Sequence, residues 1–528
     1  MRFSERAFPS RRSVVMSHNA MAASSQPLAV ETAINVLRRG GKAVDAAVAA
    51  TAVLTVIEPM STGLGGDCFA IMYIARDQKL VAINGSGRSP AAASAAKLLA
   101  GGLNAVPIRG PLSVTVPGAL DGLFNCLSRY GTLSLGEVLA PAIACATDGF
   151  PVAEVTAQTW HRTAEIISKD PESSRVYLPH GRAPLPGETF RNPDLARTLE
   201  LIAKHGIEVF YRGPLGDALA AMVQQQGGLI AASDLAAHSS DWVEPISSNY
   251  RGVEVVEMPP NTQGLAALLA LNIVENYDLL SLEHNSAEYL RCLINAIKIG
   301  LSDAQEHIAD PREAIDLERL LSKEYARARA ADFSGASGSL PASLPPSGDT
   351  VYVAVVDEER NVVSMISSLF KAFGSGITVP GTGLLLQNRG SGFSLQGNHP
   401  NRLDGGKRPF HTILPAMLLR DGKPWGCFGV VGGLMQAQGH LQVVCNLVDF
   451  EMSPQAALDA PRFRVLQDGN TSLEEGIPRK VSEQVEGFGI GLKQNAAEEG
   501  FGGGQVILIT ENLFGGSDPR KDGCAIGY

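Results

Sequence analysis

The sequence has no CxxC pair, no long run of lysine and arginine, no apolar stretch of bilayer length and no repeat of solenoid period. Each absence removes a class of function. Without paired cysteines a zinc ribbon is excluded. An odd total of seven (Cys68, Cys126, Cys145, Cys292, Cys427, Cys445, Cys524) does not suit a domain held by disulfides alone. Free, buried thiols in a reducing compartment are expected. A formal net charge of −10 favours solubility and offers no nucleic-acid surface. The most apolar stretch, 43–57, carries Asp45, Thr51 and Thr55 and is too short to span a bilayer. Arg11-Arg12 resembles the start of a twin-arginine signal, but residues 13–25 contain no apolar segment. They read as a short leader before the folded domain, and a cytoplasmic location is expected.

What is present is an ordinary globular composition, 45% hydrophobic and 19% charged. At 528 residues it predicts two domains or one large two-part fold. Pro27 opens a helix that Gly40-Gly41 closes, and an Ala/Val-rich helix follows over 43–56. The loop Ser61 to Asp67 (STGLGGD) is glycine-rich, yet it lacks GxGxxG spacing and leads into a strand, which excludes a dinucleotide fingerprint. Strands are expected over 69–75 and 80–84. The middle, 112–333, reads mainly helical, with a long helix over 286–307 and a strand over 252–257.

Composition then changes abruptly. Residues 333–349 (FSGASGSLPASLPPSGD) are rich in Ser, Gly and Pro and read as a linker. Immediately after it, 350–356 is a strong β-former, 357–361 a turn, and 362–368 the returning strand of a hairpin. Further strands are expected over 383–387, 413–419, 425–431 and 505–510, and a helix over 453–460.

The junction Asp349-Thr350 has chemical meaning. A threonine hydroxyl is a weak nucleophile, but a free α-amino group on the same residue can act as its base. That amine titrates at about 7.7–8.0 when unperturbed, so no histidine is needed. Attack of the Thr350 hydroxyl on the Asp349 carbonyl would give an ester, and its hydrolysis would expose the amine.

The stretch TVYVAVVDEERNVVSMISSLFKAFGSGI resembles the signature of the γ-glutamyltranspeptidase family. The likeness runs through NVLRRGGKAVDAAVA, EPMSTGLGGDCF, SVTVPGALDG, GTGLLLQNRGSGFS, GKRPFHTILPAM, GVVGGLMQ, LDAPRF and GGSDPRKDGCAIGY, in order. The resemblance implies an α+β fold, a four-layer αββα sandwich of the N-terminal-nucleophile (Ntn) hydrolases. It implies a proenzyme that cuts itself between Asp349 and Thr350, leaving fragments 1–349 and 350–528 as a heterodimer. Thr350 becomes nucleophile and base, Ser368 a hydroxyl partner, and Gly432 and Gly433 the oxyanion hole. No metal or organic cofactor is implied, and His307, His411 and His440 lack ligand spacing.

The sequence departs from glutamyl-specific relatives where they hold an amino-acid head group. Ser86 stands where the resemblance expects an arginine, and Gly392 where it expects an aspartate. The expected serine pair is His411-Thr412, and Phe370 replaces an asparagine. The GSGR, LLQNRG and RPFHT segments resemble those of the branch containing oxamate amidohydrolase and acylase-like proteins. Arg389, Arg88, His411, Thr412 and Asn388 are candidate substrate-binding residues, with Lys371 and Arg408 behind them. Oxamate, with a carboxylate and no amino group, fits best. An acylase on a larger amide such as a β-lactam side chain, a γ-glutamyl hydrolase or transferase, and an uncleaved binding protein remain the alternatives.

Overall fold

The computed structural model describes residues 12–331, 349–493 and 500–528. Of the expected linker, only the backbone of Asp349 falls among them, and so does nothing of Arg11. Two seven-stranded sheets form the centre. One orders Val15–Ser17, Leu513–Ser517, Gly503–Ile509, Lys423–Val431, Ala416–Arg420, Val253–Glu257 and Ile246–Tyr250. The other orders Cys524–Gly527, Met21–Ser24, Asp349–Val356, Val362–Phe370, Asp67–Ile74, Lys79–Gly85 and Asp241–Val243. Every neighbouring pair is antiparallel.

The strand Asp349–Val356 shows why the sheets stack. Its period of two sends Val351, Val353 and Val355 outward against a helical layer, and Tyr352, Ala354 and Val356 inward toward the other sheet. A strand covered on both faces reads as a near-continuous apolar run, as Val351 to Val356 does. Helices Pro27–Arg38 and Ala43–Ile57 belong to the outer layer on that side. On the far side, Gly264–Val274, the 21-residue Ala287–His307 and Met435–Val448 pack on Val255, Leu418, Phe428 and Val506. The result is the expected α+β, four-layer αββα sandwich.

Each sheet contains strands from both sides of Thr350 paired to one another, so the two expected portions share one fold. Residues 13–25 are no leader. Met21–Ser24 is wholly buried and pairs with both Asp349–Val356 and Cys524–Gly527. The Ala/Ser sequence gives no β signal of its own; pairing to a strong β-former on one side imposes the strand. The helical middle also contains strands Asp241–Val243 and Ile246–Tyr250. The strand expected over 383–387 shrinks to Leu384–Leu385, and that over 413–419 shifts to Ala416–Arg420. All seven cysteines are free, with Cys145 and Cys524 half-buried and the rest buried. Among the described residues no helix is long and apolar enough to cross a membrane.

Candidate active site

The even-numbered residues of Asp349–Val356 face the space between the sheets, and Thr350 occupies the first such position. The returning strand keeps the same parity, placing Val362, Ile366 and Ser368 on that face. The register slips between Asp349 and Val351, so Asp349 pairs with Phe370 while Val351 pairs with Ser367. At this slip the Thr350 hydroxyl donates to Ser368 Oγ at 3.2 Å, and Ser368 Oγ also accepts the Phe370 N–H at 2.8 Å. Phe370 carries φ 83°, unusual for a bulky residue. The glycine-rich loop 61–67 lies against this point. A Cβ on Gly66 would come within 2.4 Å of the Ser368 carbonyl oxygen, so only glycine fits.

Gly432 and Gly433 form the turn between Lys423–Val431 and Met435–Val448, with φ 122° and 63°. Their carbonyls accept N–H groups of Met435 and Gln436, both at 3.1 Å, leaving the turn at the positive end of a 14-residue helix. Gln436, in the first turn of that helix, ties it to the hairpin. Its Nε2 lies 3.5 Å from Thr350 Oγ1, and its Oε1 accepts the Leu414 N–H at 2.8 Å.

A path of contacts connects Thr350 to Arg389. Arg389 Nη1 donates to Thr412 Oγ1 at 3.0 Å, and the guanidinium lies 3.9 Å above the Phe370 ring. From Thr350 the path runs through Ser368, Phe370, Arg389 and Thr412, along the chain to Leu414, and back through Gln436. Arg389 is fully buried, and its Nε and Nη2 have no hydrogen-bond partner among the described residues. Burial pushes its pKa down to about 9 against the attraction of Asp67, leaving it cationic at neutral pH.

Asp67 is already committed. Its carboxylate accepts from Gly87 N–H at 2.8 Å and Gln387 Nε2 at 2.9 Å, and it meets His411 Nε2 at 2.9 Å. His411 Nδ1 faces the Ile413 N–H at 3.4 Å, which assigns the ring proton to Nε2. Burial first, then repulsion from Arg389, pushes the His411 pKa down to about 3, so the ring is neutral.

The sequence-expected residues divide accordingly. Thr350 contacts Ser368 directly, Arg389 and Thr412 are linked to that pair through Phe370, Gly432-Gly433 through Gln436, and His411 precedes Thr412 in the chain. Asn388 is adjacent, but its amide is engaged by the Lys371 N–H and the Ile108 carbonyl. Arg88 is part of another cluster, facing Asp241 at 3.3 Å and Asp310 at 3.4 Å. Arg408 joins that cluster through Asp241 at 2.7 Å and meets the Ser86 hydroxyl at 3.2 Å. His440 is buried against Glu257 at 2.6 Å. Gln436 and Gln263 were not legible as site residues; a glutamine in a buried helix turn is the one signal that marks either.

Residues 29–528 match the family described as Gamma-glutamyltranspeptidase. The chain is 39% identical, over 97% of its length and 99% of the relative's, to the glutathione hydrolase-like YwrD proenzyme of Bacillus subtilis. It is 35% identical to the oxamate amidohydrolase proenzyme of Klebsiella pneumoniae, again over 97% of this chain and 99% of the relative. The crystal structure of cephalosporin acylase from Bacillus halodurans superposes with a TM-score of 0.92 at 39% identity, covering 99% of this chain and 98% of that one. Fold and likeness together define an Ntn hydrolase acting on amide C–N bonds. More narrowly, the chain belongs to the γ-glutamyltranspeptidase family.

Proposed function

We propose that the chain is a self-processing amidohydrolase of small carboxylate-bearing amides, with oxamate the best-fitting substrate and Thr350 the nucleophile. The observation that carries this reading is Arg389, a buried cation with two donor nitrogens, Nε and Nη2, unpartnered among the described residues and linked by contacts to Thr350. A buried charge is costly unless paired, so the site is poised for an anion. A planar carboxylate matches the guanidinium fork. Asp67, the carboxylate that attracts Arg389, is engaged by Gly87, Gln387 and His411 and is not free for an ammonium. That combination favours a carboxylate without an α-amino group. The likeness to a relative named oxamate amidohydrolase agrees with it.

The chemistry has two stages. In the precursor, Thr350 Oγ attacks the Asp349 carbonyl carbon, the peptide C–N bond breaks, and the proton passes to the departing Thr350 nitrogen. Hydrolysis of the resulting ester separates residues 1–349 from 350–528, which remain a heterodimer because their strands pair with one another in both sheets. In turnover, the freed amine takes the hydroxyl proton as Oγ attacks the substrate amide carbonyl. The Gly432-Gly433 turn faces the oxyanion, Ser368 orients the hydroxyl, and Arg389 holds the carboxylate. The amine returns its proton to the leaving ammonia. Water then attacks the acyl-enzyme, releasing oxalate and restoring Thr350.

Ammonia and oxalate release from oxamate by the purified protein tests this reading. Stoichiometric release, with KM raised in Arg389→Met, supports it. Turnover of a cephalosporin side-chain amide in place of oxamate moves the substrate to the larger acyl class, and glutamate release from a γ-glutamyl anilide returns it to the glutamyl class.

A further inference from the structure

Gln263 is the residue before helix Gly264–Val274, fully buried, with no place in the reaction described above. Its position is dictated by backbone pairing. The His411 N–H donates to the Asn261 carbonyl at 2.8 Å, and the Gln263 N–H returns to the His411 carbonyl at 3.0 Å. This short zipper aims the Gln263 side chain between two loops. One amide nitrogen donates to the Thr412 carbonyl at 2.5 Å and to the Gly433 carbonyl at 2.9 Å. A primary amide has two N–H bonds, so both are used.

The two acceptors belong to the two halves of the site. Holding the Gly433 carbonyl fixes the peptide plane that follows the glycine pair and so anchors the end of the turn. Holding the Thr412 carbonyl fixes the residue whose hydroxyl accepts Arg389 Nη1. The Gln436 N–H holds the same Gly433 carbonyl from within the helix at 3.1 Å, so Gln263 supplies the second tether, the one that joins this turn to the loop of Thr412.

We infer that Gln263 is a positioning residue that sets the separation between the oxyanion turn and the carboxylate-binding arginine. This rests on the proposed function, in which Gly432-Gly433 and Arg389 hold opposite ends of one small substrate. For a molecule as short as oxamate, amide carbon and carboxylate carbon are bonded to each other, so the spacing tolerates little error. A displacement of about 1 Å commonly costs up to 100-fold in rate.

The test compares wild type with Gln263→Met, which keeps the length of the side chain and removes both donors, and with Gln263→Glu, which keeps its shape and turns oxygen toward both carbonyls. Self-cleavage rate, thermal midpoint, and kcat and KM for oxamate and for uncharged oxamide are measured. The expected result is about a 10- to 100-fold loss of kcat on both amides, slower self-cleavage, and a KM increase for oxamate that oxamide does not share. A purely structural role would lower the thermal midpoint without that split between substrates. Wild-type kcat, KM and cleavage rate in a folded variant would overturn the inference while leaving the proposed function intact. Should wild type cleave itself but not turn over oxamate, an unslowed cleavage in both folded variants would overturn it and a slowed one would support the oxyanion half alone, the arginine half having failed with the substrate. A wild-type chain that never cleaves removes both readings.

Discussion

The guanidinium of Arg389 lies 3.9 Å above the ring of Phe370, the residue that pairs with Asp349 across the hairpin. The stack places a cation beside the junction at which the chain is expected to be cut. It also explains why a bulky residue persists at φ 83°: the ring is a platform for the buried charge, and the backbone N–H is bonded to Ser368 Oγ.

Arg389→Met is expected to raise KM for oxamate about 10- to 150-fold, the equivalent of a lost charge-assisted hydrogen bond of about 1.5–3 kcal/mol. The change in kcat should be small, and self-cleavage should persist, because the peptide at Asp349-Thr350 is positioned by the hairpin. Phe370→Leu should move KM in the same direction by less. Steady-state kinetics on ammonia release check both.

Ser368→Ala removes the acceptor of two hydrogen bonds, from the Thr350 hydroxyl and from the Phe370 N–H. A buried N–H left without a partner costs about 1–3 kcal/mol. The expected outcome is a lower urea midpoint together with self-cleavage slowed by an order of magnitude or more, followed by denaturing electrophoresis over time.

Gly433→Ala places a Cβ on a residue at φ 63° and Gly432→Ala one at φ 122°. Ala in the left-handed region costs about 1–2 kcal/mol, and the Gly432 conformation lies further from anything an L-residue adopts. Both variants should stay uncleaved or cleave slowly, with the Gly432 change the more severe. Native-like circular dichroism with an intact chain would show that the turn matters for chemistry beyond folding.

The acid side of the stability curve follows from two buried histidines. Burial lowers His411 to about 3 and His238 to about 4. Unfolded histidine titrates near 6.5, so below that pH the unfolded chain binds protons that the native state refuses. Stability should therefore fall as pH drops from about 6.5, by about 1.4 kcal/mol per pH unit for each histidine, down to about 4 for His238 and about 3 for His411. His411→Gln should reduce the slope by one proton between pH 6 and 4. An unchanged slope would mean that His411 is protonated in the native state.

The central hairpin could be read from the chain because strong β-formers fill 350–356 and a turn follows at once, whereas the four-layer fold was what the family resemblance implied. Gly432-Gly433 was legible as a turn after a strand, and its oxyanion role only as what the resemblance implied. Met21–Ser24 was not, since alanine and serine carry little strand preference and the pairing partners lie far away in sequence, at 353–356 and 524–527. Arg389 and Arg88 looked alike in sequence. Tertiary placement separates them, giving Arg88 carboxylate neighbours in Asp241 and Asp310 and leaving Arg389 two donors unmet. Gln436 and Gln263 act through amide groups whose partners come from distant loops, so no spacing announces them.

Thr350 as the self-processing nucleophile is tested most directly by intact-mass measurement under denaturing conditions on wild type and Thr350→Ala. The account predicts two wild-type fragments separating between Asp349 and Thr350, and one intact chain of 55.7 kDa in the variant. A single uncleaved chain in both, or identical fragments in both, would contradict it.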